Sequence, residues 1–167
     1  MIAAVRRASD LANRVTEWAL VPVVLFFAGL LIVTVFSRYI FQLPIITSVE
    51  MTRLAFVWAT FLGVAAGVKR GVHVRVVAFV SLLPAPLRAL TVYLVHGSFL
   101  LFGLLMVWYG YFLTVQMSGT SFPTLGISQS WLYGVLPVTG ALMVLHALSG
   151  LLSKEPVDLP LIEETAQ

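Results

Sequence analysis

From Ala89 to Ser153 the chain contains no Asp, Glu, Lys or Arg. As one helix that stretch would be on the order of 100 Å long, whereas a bilayer offers ~30 Å of hydrocarbon. It must therefore fold back on itself, and the break falls in residues 116–130. There Ser118, Gly119, Thr120, Ser121, Pro123, Gly126 and Ser128 supply turn and loop chemistry. The two halves become spans three, about 86–116, and four, about 131–153, with Pro86 suited to a first helical turn because it lacks the N–H that has no partner there.

Two further spans precede them. Trp18 to Ser37 is free of charge, and about 20 helical residues cover the hydrocarbon, so span one is placed at about 18–41. It exceeds a signal peptide's apolar core of roughly 7–15 residues, no small-residue cleavage site follows, and it is expected to stay in the protein. Arg6 and Arg7 are read as a solvated basic flank. Pro44 stops the first helix, and Ser48 is expected to cap a second, 48–70. Its uncharged part, Leu54 to Val68, is short. Glu50 and Arg53 must therefore lie near an interface, where as an i,i+3 pair they can face one another.

Residues 72–84 are too short to cross. Basic residues precede the apolar run Val76–Leu83, which suits a short interfacial helix ending at Pro84 as well as a simple extension of span two. His73 is placed at the interface. The fold class is thus an all-α integral membrane domain of four transmembrane helices, with a short interfacial helix between the second and third and a polar, acidic tail over 154–167. A composition of 60% hydrophobic and 10% charged residues agrees, and without cysteine there is no disulfide or thiolate site.

Orientation follows from where the cations sit. Arg6, Arg7, Arg14, Lys69, Arg70, Arg75, Arg88 and Lys154 lie on one side, and only Arg38 and Arg53 on the other. The positive-inside rule puts the first side, with both termini, in the cytoplasm. The same distribution explains the net charge of +3 without any nucleic-acid partner.

Candidates for chemistry are few. The row Ala55, Ala59, Gly63, Gly67, Gly71 lets backbones approach closely, either as a docking seam for another subunit or as packing within the chain. His96 and His146 both fall at ~12 Å depth from the cytoplasmic side on antiparallel helices. They could ligate a haem or make interhelical hydrogen bonds, the commoner use of histidine in a bundle. No ionisable residue occupies mid-span, no helix pair is interrupted at matched positions, and no phosphate-binding loop occurs. Moving a charged solute alone, or driving a step with ATP, has no residues to run on. Trp18, Tyr39, Trp131 and Tyr133 are interface anchors, and Trp58, Trp108, Tyr109 and Tyr111 pack or face lipid.

These pieces together resemble the small membrane subunit of tripartite ATP-independent periplasmic (TRAP) transporters. The resemblance runs from Glu17 to about Gly140. It rests on Glu17 opening span one, Arg38-Tyr39-Ile40-Phe41 closing it, and Ser48-Val49-Glu50-Met51-Thr52-Arg53 followed by Phe56-Val57-Trp58 and Phe61-Leu62-Gly63. His73-Val74-Arg75-Val76, Leu83-Pro84, Leu125-Gly126-Ile127 before Trp131 and Tyr133, and Pro137-Val138-Thr139-Gly140 complete it. Two departures stand out: Val49-Glu50 where the family often has adjacent acids, and Val77 where it often has one.

The resemblance implies a non-catalytic scaffold in the bacterial inner membrane. It would need no cofactor or metal and would brace a large membrane subunit that carries organic acid and sodium, with a periplasmic substrate-binding protein delivering substrate. Glu17, Arg38, Glu50 and Arg53 are then candidates for partner contact or helix positioning. The competing readings are a four-helix b-type haem electron-transfer protein and the small subunit of a tricarboxylate uptake system.

Overall fold

In the computed structural model, residues 2–70 and 85–153 are described. The chain forms α1 (Ile2–Tyr39), α2 (Ser48–Lys69), α3 (Ala85–Gln116), a 3-10 turn (Met117–Gly119), α4 (Ser130–Tyr133) and α5 (Val135–Ser153). α4 and α5 run on through Gly134 as the fourth of four helices, among the described residues, long and apolar enough to cross a membrane. No strand occurs among the described residues; an isolated bridge joins Ser121 to Ser128. Residues 72–84, where an interfacial helix is expected, Gly71 and the tail 154–167 lie outside the described residues.

α1 continues some four turns N-terminal to its uncharged stretch. The 38-residue helix includes Arg6, Arg7, Asp10, Asn13 and Arg14, all compatible with helix, and tertiary contacts give the extension a face to bury. α2 begins one residue before the expected cap could act. Thr47 is the N-cap and makes no side-chain cap bond. Ser48 is the first helical residue, fully buried, and its hydroxyl donates back to the Ile45 carbonyl at 2.6 Å. A hydroxyl shut away from water takes the nearest carbonyl, and here that lies in the incoming loop.

The core is organised around α5, which touches α3 along its length and also reaches α1 and α2. Val135, Thr139, Met143, His146, Ala147 and Ser149 of α5 are buried, a run at helical spacing that fixes its inward face. α3 can approach closely because a glycine meets a glycine. A Cβ on Gly140 would stand 2.7 Å from the Gly103 carbonyl oxygen and 2.9 Å from Met106 Cβ, and one on Gly103 would stand 2.9 Å from Val144 Cγ2. This is the close-approach seam within the chain. The row on α2 plays another part: Ala55 is buried, but a Cβ on Gly63 would meet nothing within 4 Å.

Gly140→Val should overpack the α3–α5 seam and cost about 1–3 kcal/mol, read as a clear drop in the thermal midpoint of the detergent-solubilised protein. Gly63→Ala should leave that midpoint unchanged or raise it.

Candidate functional site

Polar side chains gather at the two ends of the bundle. At the end formed by the start of α1 and the C-termini of α2 and α5, three links cross between helices. Ser9 Oγ lies 2.9 Å from His146 Nδ1, both residues buried. Lys69 Nζ lies 2.9 Å from Asp10 Oδ1. Arg70 donates to Glu17 Oε1 from Nη2 at 2.7 Å and from Nε at 3.0 Å, and Asn13 Nδ2 donates to the same oxygen at 2.8 Å. Asp10 precedes the uncharged stretch, and the hydrogen bond from Lys69 holds its carboxyl below the usual value. Glu17 is thus a positioning residue that sets α1 against the end of α2.

At the opposite end Glu50 does similar work on a loop. It does not pair with Arg53 along its own helix. Its carboxylate accepts the backbone N–H of Leu125 at 2.8 Å and of Thr124 at 3.1 Å. Two amides in a tight loop point together at one oxygen, and a carboxylate satisfies both where a single neighbouring guanidinium would leave them open. The loop is further closed by Phe122 N–H to Ile127 O at 2.8 Å and by Gln129 N–H to Thr120 O at 2.8 Å. Gly126 takes a left-handed φ of 70° at its tip, a conformation glycine adopts at no steric cost. Trp58 Nε1 donates to the Trp131 carbonyl at 2.8 Å, so this aromatic ties α2 to α4 and is more than a filler of space.

Arg38 and Arg53 are exposed, with no ion pair among the described residues. Arg38 occupies the last turn of α1, where a cation complements the helix dipole.

The two histidines turn toward different helices. His146 turns its Nδ1 to Ser9 on α1, while the His96 ring lies against α5 at Gly150, its Nε2 2.2 Å from where a Cβ would stand. α3 and α5 touch there, so no gap for a porphyrin separates them at that level. The described residues contain no group of three or more His, Cys, Asp or Glu able to hold a metal ion.

Sequence reasoning missed Ser9, Asp10 and Asn13, because ahead of Glu17 only the arginines were read, Arg6 and Arg7 as a solvated flank. The available signal was their spacing: Ser9, Asn13 and Thr16 recur at helical period on the face opposite Arg7, Leu11 and Arg14.

Residues 27–155 match the family described as Tripartite ATP-independent periplasmic transporters, DctQ component. Among curated relatives, the sialic acid TRAP transporter small permease protein SiaQ of Vibrio cholerae is 31% identical over 137 residues, 81% of this chain and 79% of that protein. The sialic acid TRAP transporter permease protein SiaT of Haemophilus influenzae is 30% identical over 135 residues, 79% of this chain. The chain spans only about a fifth of that longer protein, 21% of its length.

Glu50→Gln should loosen the 122–129 loop and speed amide exchange at Thr124 and Leu125 by about tenfold or more, measured by hydrogen exchange. Arg53→Gln should leave both amides unchanged.

Proposed function

Since this chain belongs to the DctQ-component family of TRAP transporters, we propose that it is the scaffold subunit of an ion-coupled importer of organic acids and braces a large membrane subunit without carrying the substrate itself. What carries this reading is apolar surface left without a neighbour. None of the most apolar window of α1 is buried within the chain, against 39% for the fourth span. Between α1, α2 and the 122–129 loop lies an open groove of about 440 Å³, lined by Pro22, Phe26, Leu54, Trp58, Leu125 and Ile127. The open side of Gly63 belongs to the same helix. A small residue facing open space on a transmembrane helix lets a second helix come close, and the large subunit's helices are the occupants proposed.

The importer reading also draws on chemistry the chain lacks. The charged groups of the described residues sit toward helix ends, the acids tied to cations or to a loop, and not at membrane depth where an anion or cation would pass. Substrate and coupling ion, proposed as sodium, therefore belong to the large subunit. The substrate is proposed as an organic acid because both relatives carry sialic acid in their names. A periplasmic binding protein delivers it. The protein sits in the inner membrane with the Ser9–His146 end, and so both termini, on the cytoplasmic side, a reading the cation distribution supports. Family membership replaces the haem protein and the tricarboxylate subunit as readings.

Gly63→Leu should reduce co-purification of the large membrane subunit about tenfold while shifting the stability of the isolated chain by less than about 0.5 kcal/mol. Undiminished co-purification from Gly63→Leu would move the docking face elsewhere. Failure of the wild-type chain to carry down any large membrane protein would reject the scaffold reading itself.

A further inference from the structure

The N-terminal extension of α1 is amphipathic in an inverted sense. Its buried face is polar, with Ser9 and Thr16 inside the bundle. Its outward face is apolar and basic. Leu11, Val15 and Trp18 are 65%, 61% and 80% exposed, and Arg7 and Arg14 are exposed beside them. At 100° per residue, positions 7, 11, 14, 15 and 18 fall on one stripe, with the two arginines about 10 Å apart along the axis.

The two arginines of that stripe are not neutralised by an ion pair among the described residues. The extension holds two acids, Asp10 and Glu17, and both are drawn to the flank by cations of α2, through Lys69 at 2.9 Å and Arg70 at 2.7 Å. Neither Arg7 nor Arg14 has an ion pair among the described residues. A guanidinium is well matched to phosphate oxygens, and a tryptophan with neighbouring aliphatic side chains belongs at the boundary between headgroups and acyl chains.

From this we infer that the Arg7–Leu11–Arg14–Val15–Trp18 stripe is a binding surface for anionic phospholipid headgroups. Arg7 and Arg14 meet headgroup phosphates, with Leu11 between them, and Val15 and Trp18, beyond Arg14 along the helix, seat in the acyl boundary beneath. Charge complementarity selects this occupant: the leaflet facing the basic end of a membrane protein is the anionic one, and each arginine near such a surface is worth about fivefold in lipid preference. The inference does not depend on the large subunit being present.

Because the chain has no cysteine, a fluorescent donor can be placed on Ala8→Cys, an exposed position beside the stripe. The full chain is reconstituted in phosphatidylcholine nanodiscs doped with tail-labelled acceptor phosphatidylglycerol or phosphatidylcholine. Energy transfer should show phosphatidylglycerol enriched beside residue 8 by about fivefold or more, less at high salt. Arg7→Gln or Arg14→Gln should each lower the enrichment roughly threefold to fivefold, and together they should abolish it with the thermal midpoint unchanged. Arg38→Gln with Arg53→Gln, at the other end, should have no effect. Equal transfer to both lipids in the wild type, or a preference surviving Arg7→Gln with Arg14→Gln, would overturn the inference. So would exclusion of both acceptors from residue 8 once the large membrane subunit is bound, which would assign the stripe to that protein.

Discussion

Hydrocarbon offers a polar group nothing to bond to, and most of this structure is an answer to that constraint. Backbone groups are satisfied inside helices. The side chains that must be polar are then collected where two or three helices meet. Ser9 reaches His146, and Asp10 and Glu17 reach the two cations closing α2. Each link costs desolvation, and each is placed where it also fixes an angle or a register between helices. Between these ends the helices pack through apolar side chains and glycines, with Thr139 buried among them and Gly103 meeting Gly140.

The same constraint explains how a small chain can act as a brace. Within a membrane, helices gain little from hiding apolar surface, since lipid is as apolar as another helix; association depends on close fit and a few hydrogen bonds. α5 uses its fit internally, against α3, α1 and α2. α1 buries its polar N-terminal part, while its apolar part is at most half-buried, as where Phe27 meets Phe56, and otherwise open. Such a division leaves the bundle held together at its ends and centre, with its flank open to a larger neighbour.

Much of the fold was legible because the signals are long-range and coarse. A charge-free run too long for one crossing forced the break near residues 116–130, and the structure turns there through a 3-10 turn and a closed loop. Family membership was readable from short pieces in fixed order. The contacts of individual polar residues were less so. Glu50 was expected to pair with Arg53, since spacing along one helix is visible in sequence, whereas two loop amides seventy-odd positions away are not. The Ala55–Gly71 row could be read as a seam for another subunit or within the chain, since sequence does not say whose helix fills it; Gly63 faces open space, whereas Gly103 and Gly140, outside the row, meet each other. The extension of α1 was missed because its apolar residues Leu11, Val15 and Trp18 are interleaved with arginines and face outward, away from the bundle. Its helix is recognised by what it turns toward the bundle.

The central claim is that this bundle steadies a transporter without being one. The most direct measurement is gradient-driven uptake of labelled organic acid, sialic acid first, into liposomes holding the purified chain alone or the chain with its large membrane subunit and binding protein. The account predicts no accumulation with the chain alone and sodium-dependent accumulation with the full set. Accumulation driven by the lone chain would contradict it.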